Sequence, residues 1–385
     1  MDLFKEEKLN RVFVLIGTLS LLTGCMTLGG ADSSDLSSAG AERYVTASPE
    51  EAKIISSDID RFWRAYDAAY PEDMLETYRN EYLQRGSTGL REFTRLKIGN
   101  ADNLVMNVWN HSRYYASVRS STRSIRTQDD RIRESYRKLR DLYPDALFPN
   151  LYFLIGAMNS GGISTNYGLV IGVELFSKTE SSPLDELNPW EKSVVQPIDK
   201  IPLVVAHELA HFQQRFGKET ETLLERSIAE GEADFISELI AGGQINELQH
   251  RYGDEHELLV WNEFQEVMHG RDFSRWLYNG SALAAKGQLF SRPADLGYYI
   301  GYKICQSYYH NASDKRKAIR DMLEIDDFDK FLRESGYGSR FASNAESGTP
   351  SGSGLKKLNG NTSDAGNSGS AIAASQKTGV AIPGH

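Results

Sequence analysis

The chain has 385 residues, of which 40% are hydrophobic and 25% are charged, and its formal net charge at pH 7 is −10. This composition is typical of a soluble globular protein with one large or two ordinary domains. The excess of acidic residues argues against a nucleic-acid partner, because phosphate binding requires clustered lysine and arginine. The two cysteines, Cys25 and Cys305, are too few for a disulfide framework or a thiolate metal site, and the apolar neighbours of Cys305 predict simple burial.

The first 25 residues have the pattern of an export signal. Positive charges at the start precede an apolar stretch over residues 12–22, and Leu-Thr-Gly stands directly before Cys25. This ending resembles a lipobox, which implies cleavage before Cys25 and an anchor of acyl chains on that residue. A short transmembrane helix or an ordinary signal peptide is the alternative. Met26 stands where Asp would favour the inner membrane, so the resemblance implies a cell-envelope lipoprotein at the outer membrane, facing the periplasm.

Composition and the periodicity of apolar residues divide the chain after residue 25 into four predicted segments. Residues 26–48 are rich in Gly, Ser, Ala and Asp, which predicts a flexible tether, and residues 341–385 predict a disordered Gly/Ser/Asn-rich tail. Between them we expect a helical N-terminal region over 49–145 and a second domain over 146–340. The first helix is expected to begin at Ser48-Pro49, which is a favourable capping pair.

Apolar residues spaced three and four apart predict helices along most of the chain. After the first helix they are expected over 73–85, 89–97, 101–118, 128–142, 200–216, 221–241, 255–268, 296–310 and 312–323. Short apolar runs at Leu151–Gly156 and Gly168–Val173, with turn-forming residues between them, predict the strands of a small sheet. The predicted fold is therefore α+β and predominantly helical.

The run from His207 to His211 reads H-E-x-x-H and lies inside the helix predicted over 200–216. Side chains four residues apart share one face of a helix, so both imidazoles can reach one zinc ion. The carboxylate of Glu208 would lie beside the ion, where it can act as a general base on a water molecule.

A third ligand is expected in the following helix, where Glu230 comes after a spacing of eighteen residues from His211. A His, His, Glu set leaves one tetrahedral position for water, which is the arrangement of catalytic zinc. Glu232 is the alternative third ligand, because helical direction alone does not exclude it. Asp234, one turn after Glu230, could accept a hydrogen bond from a ligand histidine. Gly231 is expected to remove bulk beside the metal.

The H-E-x-x-H run, the spacing of eighteen and the run Glu230-Gly231-x-Ala233 together resemble the gluzincin metallopeptidases. The segments Asn159–Gly162, Gly168–Gly172 and Gly297–Ile304 resemble a predicted zinc-protease family of unknown function that includes gliding-motility-like lipoproteins. The resemblance extends over residues 150–310. It implies a zinc metallopeptidase-like domain at 146–340, with a small sheet beside two ligand helices.

In gluzincins a downstream tyrosine stabilises the oxyanion, and the resemblance makes Tyr298 and Tyr302 the candidates for this role. The alternative is that both are half-buried core residues. Gluzincins also pair extended substrate with a sheet edge, and Gly168–Val173 resembles that strand by its position. Here the alternative is a buried strand that contributes only to the core.

These features predict a membrane-anchored zinc peptidase of the cell envelope, with peptide or protein substrates. Zn²⁺ and Glu208 would activate a water molecule, and Glu208 would pass its proton to the leaving amine. The alternative is an envelope or gliding-motility-type assembly lipoprotein that retains the zinc site with little or no turnover. A purely structural zinc ion fits less well, because it would require a fourth protein ligand.

Overall fold

The computed structural model describes residues 44–217, 220–287 and 292–341. The export signal, Cys25, the tether up to residue 43 and the tail from residue 342 lie outside the described residues. The described part is predominantly helical with two small sheets, in agreement with the α+β class. Within these ranges, no helix combines the length and the apolar character that crossing a bilayer requires.

The strands are short and form two sheets. They are β1 Val45–Thr46, β2 Ile54–Ile55, β3 Phe148–Pro149, β4 Leu151–Leu154, β5 Gly162–Thr165 and β6 Gly168–Gly172. β1 pairs with β3 in an antiparallel sheet, whereas the second sheet has the order β2-β4-β6-β5. In this second sheet β2, β4 and β6 run parallel, and β5 is an antiparallel edge strand.

The position of β6 corrects the expectation that Gly168–Val173 offers an open edge to substrate. All five residues of β6 are buried, and the strand lies between β4 and β5. It is therefore a core strand, which was the alternative interpretation. The edge strand next to β6 is β5, which the apolar pattern does not predict because its Gly-Ile-Ser-Thr sequence has only one large apolar residue.

The α-helices follow in chain order. They are α1 Ser57–Ala68, α2 Met74–Thr77, α3 Thr88–Phe93, α4 Ala101–Asn110, α5 Ser112–Arg123, α6 Asp129–Leu142, α7 Pro189–Val194, α8 Ile201–Gln213, α9 Leu223–Ala241, α10 Glu247–Glu255, α11 Glu257–Gln265, α12 Gly280–Ala285, α13 Leu296–Asn311, α14 Lys315–Leu323 and α15 Phe328–Ser335. Two π-helical segments, Tyr78–Leu83 and Thr94–Ile98, continue α2 and α3. The helix expected over 101–118 is broken in two at His111. The helix expected over 255–268 corresponds to α11, which begins after a break at His256, whereas α10 was not expected.

The expected helix start at Ser48-Pro49 is wrong. Residues 49–51 form a turn and α1 begins only at Ser57, because the intervening β2 pairs with β4. Tertiary pairing of this kind readily overrides a local helix signal. The region over 49–145 therefore shares its sheet, and also its hydrophobic core, with the region after residue 146.

Helices α8 and α13 both pack on α9, and the second contact is especially close. A Cβ atom on Gly231 of α9 would lie 2.0 Å from the backbone nitrogen of Tyr302, and one on Gly301 of α13 would lie 1.7 Å from the backbone oxygen of Ser227. The two backbones thus meet without side chains between them. Gly231 serves this helix contact, and the expectation that it removes bulk beside the metal is wrong.

Candidate metal centre

Helix α8 carries the H-E-x-x-H run and is buried at all thirteen of its positions. A helix that is buried on every side lies in the protein interior, and α8 packs against α6, α9 and β5. Helix α9 begins with a capping box between Thr222 and Glu225 and ends at Gly242 in the left-handed conformation. The burial of α8 and the motifs at both ends of α9 therefore fix the two helices that carry the candidate ligands.

His207, His211 and Glu230, here called the metal triad, converge on one point. Nε2 of His211 lies 3.0 Å from Nε2 of His207 and 3.1 Å from Oε2 of Glu230, and the remaining separation is 3.7 Å. Tetrahedral zinc with ligands at about 2.1 Å requires ligand atoms about 3.4 Å apart. The observed separations bracket this value, so the donor set fits zinc. Among the described residues, Glu230 and not Glu232 belongs to this cluster.

Each histidine of the metal triad is oriented through its other ring nitrogen. Nδ1 of His207 lies 2.9 Å from Oδ1 of Asp234, whose Oδ2 accepts a hydrogen bond of 2.6 Å from Asn246. Nδ1 of His211 lies 2.9 Å from Oε1 of Gln214, and the amide of Gln214 donates to a backbone carbonyl of α9. Both Nε2 atoms are thereby directed at the same point, as zinc sites commonly require.

Glu208 lies beside the metal triad, and its side chain has an unused acceptor. The residue is 4% exposed, and its Oε2 has no hydrogen-bond partner among the described residues. On the other side is Gly162 of β5, where a Cβ atom would lie 3.0 Å from Oε1 of Glu208. Burial raises the pKa of Glu208, although the two histidines oppose the shift. A buried carboxylate with one unused oxygen can accept a proton from water.

The charges of the metal triad depend strongly on one another. Burial and the neighbouring His211 lower the pKa of His207, but Asp234 and Glu230 outweigh them and raise it to about 9. Burial also opposes the ionisation of Glu230, yet the two histidines hold its pKa well below the usual value. A metal ion would therefore have to displace a proton from the triad when it binds.

The two tyrosines predicted from the sequence have different surroundings. The ring of Tyr298 stacks on that of His207, with the centroids 6.3 Å apart. The hydroxyl of Tyr302 instead donates to Oε2 of Glu238 at 2.6 Å, and its ring packs against His250. Tyr298 therefore lies beside the metal triad, whereas Tyr302 is a core residue with its hydroxyl bonded elsewhere.

A third tyrosine, Tyr278, contacts the metal triad directly. Its hydroxyl donates to Oε1 of Glu230 at 2.6 Å, which leaves Oε2 for a metal. Tyr278 has a φ of 56°, which is uncommon for a residue other than glycine. Asn279 and Asp295 exchange two hydrogen bonds between backbone N–H groups and side-chain oxygens, at 3.0 and 2.9 Å, and these hold the segment in place. No sequence motif predicts Tyr278, because it lies between helices, 48 residues from Glu230.

Comparison with known proteins assigns the chain to a family. Residues 46–339 match the lipoprotein family described as Gliding motility protein GldB, and this match covers more than half of the chain. No curated protein and no solved structure matches the chain. The matched residues include the metal triad, Glu208 and Tyr278, and the lipoprotein description agrees with a place in the cell envelope. The chain therefore belongs to the GldB family of gliding motility lipoproteins.

Proposed function

We propose that this envelope lipoprotein has zinc-dependent peptidase activity of the gluzincin type. The observation that supports the proposal most is the convergence of three donor atoms beside a buried carboxylate. Nε2 of His207, Nε2 of His211 and Oε2 of Glu230 are separated by 3.0–3.7 Å, and Oε2 of Glu208 has no partner among the described residues. Three protein ligands and an adjacent base are the components of a hydrolytic zinc site.

His207, His211 and Glu230 would hold the ion, which supplies Lewis acidity and lowers the pKa of a water molecule when bound. Glu208 would accept the proton of the attacking water on Oε2 and later deliver it to the leaving amine. Tyr298 is the better placed of the two sequence-predicted tyrosines to donate to the oxyanion, because the hydroxyl of Tyr302 donates to Glu238.

A second candidate function is that of an assembly lipoprotein that binds zinc without physiological turnover. The family match favours it, since the family is described by gliding motility and not by an enzymatic activity. In this case the metal would stabilise the fold, because it joins α8 to α9. The assembly function gives no role to Glu208.

The decisive experiment measures zinc by elemental analysis in the mature wild-type protein, in His211→Ala and in Glu208→Gln, together with cleavage of a peptide library. The peptidase proposal expects zinc in the wild type and in Glu208→Gln, little zinc in His211→Ala, and cleavage by the wild type alone. Zinc without cleavage would favour the assembly function. Wild-type protein without zinc would overturn both candidates.

A further inference from the structure

The β4–β5 connection, residues 155–161, is buried although it has no regular secondary structure. All of it lies in the interior except Asn159, which is partly exposed. A buried loop is uncommon, because its backbone N–H and C=O groups lose water and need other partners. The connection ends at Gly162, where a Cβ atom would lie 3.0 Å from Oε1 of Glu208. The path of the connection therefore determines where β5 begins beside Glu208.

Glu174 supplies two of the acceptors that the β4–β5 connection needs. It lies in the short 3₁₀-helical turn that follows β6 and is fully buried. Its Oε2 accepts from the N–H of Gly156 at 2.8 Å, and its Oε1 accepts from the N–H of Met158 at 3.3 Å. A Cβ atom on Gly156 would lie 2.8 Å from Oε1, and one on Gly172 would lie 3.2 Å from Oε2. The connection thus wraps around the carboxylate, which fills the space of these two missing side chains.

The residues around Glu174 hold the connection at more than one point. Met158 has a φ of 55°, which a residue other than glycine keeps only where its surroundings impose it. At the far end, the N–H of Gly172 donates to the carbonyl of Gly161 at 3.0 Å. A Cβ atom on Gly161 would lie 2.8 Å from the ring of Phe176. Residues 172–176 therefore fix the connection from its first turn to the start of β5.

The neighbouring hydrogen bonds explain why a carboxylate is needed here. The hydroxyls of three buried tyrosines donate to backbone carbonyls at 2.6–2.9 Å, Tyr82 to Ile155, Tyr115 to Gly156 and Tyr114 to Glu174. The N–H groups of Gly156 and Met158 still require two acceptors close together. A carboxylate offers two oxygens, whereas a glutamine amide offers one and would turn its NH₂ group toward the second donor.

We propose that Glu174 is a positioning residue for the candidate metal centre, because it shapes the connection that places Gly162 against Glu208. The inference rests on the proposed function, in which Glu208 accepts and delivers a proton. Gly162 limits the space on one side of Glu208, so a shift of β5 would change the direction of its carboxylate. A misplacement of about 1 Å can cost a large part of a catalytic rate. Glu174 lies outside the metal triad, so its loss should leave metal affinity unchanged.

The test compares the wild type, Glu174→Gln and Glu208→Gln, each loaded with Co²⁺ in place of Zn²⁺. The probe is acetohydroxamic acid, because a hydroxamate binds the metal ion through its oxygens and gives its proton to an adjacent base. Titration followed in the visible absorption spectrum measures its Kd without any turnover. We expect the affinity to fall about 10-fold in Glu174→Gln and at least as far in Glu208→Gln, with Co²⁺ bound as tightly as in the wild type.

Asp58→Asn is the matched control. Asp58 lies in α1, is also fully buried, and accepts from the backbone N–H of Ser87 at 3.1 Å. The variant likewise replaces a buried carboxylate by an amide, but it should keep the wild-type affinity for the hydroxamate. Hydrogen exchange of the N–H groups of β5, measured by mass spectrometry, should accelerate about 10-fold in Glu174→Gln and should not change in Asp58→Asn.

The outcomes separate this proposal from the peptidase proposal. An unchanged hydroxamate affinity or an unchanged exchange of β5 in Glu174→Gln would overturn the positioning role. The same losses in Asp58→Asn, or a loss of Co²⁺ binding in Glu174→Gln, would also overturn it, because both indicate general damage to the fold. The expected pattern in a protein that cleaves no peptide would reject the peptidase proposal alone, and a wild type that takes up no metal would reject both.

Discussion

The two carboxylate oxygens of Glu230 have different partners, and this difference leads to a test of a single hydroxyl. Oε2 faces the two histidines, whereas Oε1 accepts the hydrogen bond from Tyr278. The bond restrains the carboxylate so that one oxygen serves the metal. We predict that Tyr278→Phe weakens zinc binding about 10-fold, which is typical when a group that orients a ligand is removed. Competition with a chromophoric chelator measures the affinity.

Tyr302→Phe is the matched control for this prediction. It also removes a buried hydroxyl with a 2.6 Å bond to a glutamate, but the acceptor is Glu238, outside the metal triad. Its zinc affinity should equal that of the wild type. Equal weakening in both variants would mean that the loss reflects general destabilisation, and no weakening in Tyr278→Phe would contradict the role assigned to its hydroxyl.

Glu174 is a buried carboxylate outside the metal centre that should make stability depend on pH. It is fully buried and accepts hydrogen bonds from the backbone N–H groups of Gly156 at 2.8 Å and Met158 at 3.3 Å. Burial raises its pKa from 4.5 to about 7 in spite of these bonds. The native state therefore binds more protons than the unfolded state between these values, and the contribution of Glu174 to stability falls as pH rises through this window.

We predict that the free energy of unfolding of the wild type, relative to Glu174→Gln, decreases by about 2–3 kcal/mol between pH 5 and pH 8. The amide does not titrate, so the variant removes this contribution while retaining the shape of the side chain. Urea unfolding at both pH values gives the difference. A difference between the two proteins that is independent of pH would contradict the raised pKa.

Single residues of the candidate centre differ in how far the sequence predicts them. His207 and His211, with Glu208 beside them, and the position of Asp234 one turn after Glu230 follow from helical spacing, since one helix face brings together residues four apart. Helical spacing does not separate Glu230 from Glu232, and only the spacing of eighteen in the resembled families favours Glu230. Tyr278 and Asn246 do not follow from it, because their contacts depend on how loops return to the helices. The contact of Gln214 is local, three residues after His211, but it depends on how the chain leaves the end of α8. Sequence position also does not show the partner of a side chain, so Tyr302 was a candidate for a catalytic role although its hydroxyl donates to Glu238.

At the scale of secondary-structure elements, the contact between α9 and α13 controls the position of Glu230. Because Gly301 contacts the backbone of α9, a Cβ atom there would lie 1.7 Å from the oxygen of Ser227 and would push the helices apart. We predict that Gly301→Ala lowers the free energy of unfolding by about 3 kcal/mol or more and also weakens zinc binding. Urea unfolding and chelator competition test the two effects.

Gly243→Ala is the control for this helix contact. A Cβ atom at Gly243 would lie 3.4 Å from the side-chain carbons of Leu203, which is ordinary contact distance. Its stability should stay within about 1 kcal/mol of the wild type. If Gly301→Ala were equally mild, α9 and α13 would be able to separate without cost, and the close packing would have no energetic role.

The elements themselves were predictable to different degrees. Helices α8 and α9 both lie where they are expected, although burial on nearly every side leaves them with a weak apolar periodicity. The strands β1 and β2 are two residues long, and β5 is largely polar, so each depends on a distant partner strand and not on its own pattern. For this reason the first helix and the edge of the sheet could not be placed from local sequence.

At the scale of the whole molecule, one hydrophobic core extends from Ala52 to Tyr337 through the part of the chain that the structure describes. We predict one cooperative unfolding transition, with coincident midpoints by far-ultraviolet circular dichroism and by tryptophan fluorescence, because within that part no set of elements has a separate core. Added zinc should raise both midpoints together, since it binds only the native state. Two transitions, or a shift of only one signal, would show that the regions before and after residue 146 unfold independently.

The way in which the chain enters the fold has a mechanical consequence for an anchored protein. The backbone N–H of Asn150 donates to the carbonyl of Tyr44 at 2.7 Å, and its side-chain oxygen accepts from the N–H of Lys53 at 3.1 Å. The neighbouring Leu151 N–H donates to the carbonyl of Lys53 at 2.8 Å. Tension on the anchor would act first on these bonds, on the two-residue strands β1 and β2, and on the bonds from Arg133 to the carbonyls of Pro49 and Ala52. Release of these contacts would extend the chain before α1 by about 40 Å before the force acts on α1 itself. The segment before α1 would therefore detach under tension before α8 and α9, the helices that carry the metal triad, are deformed.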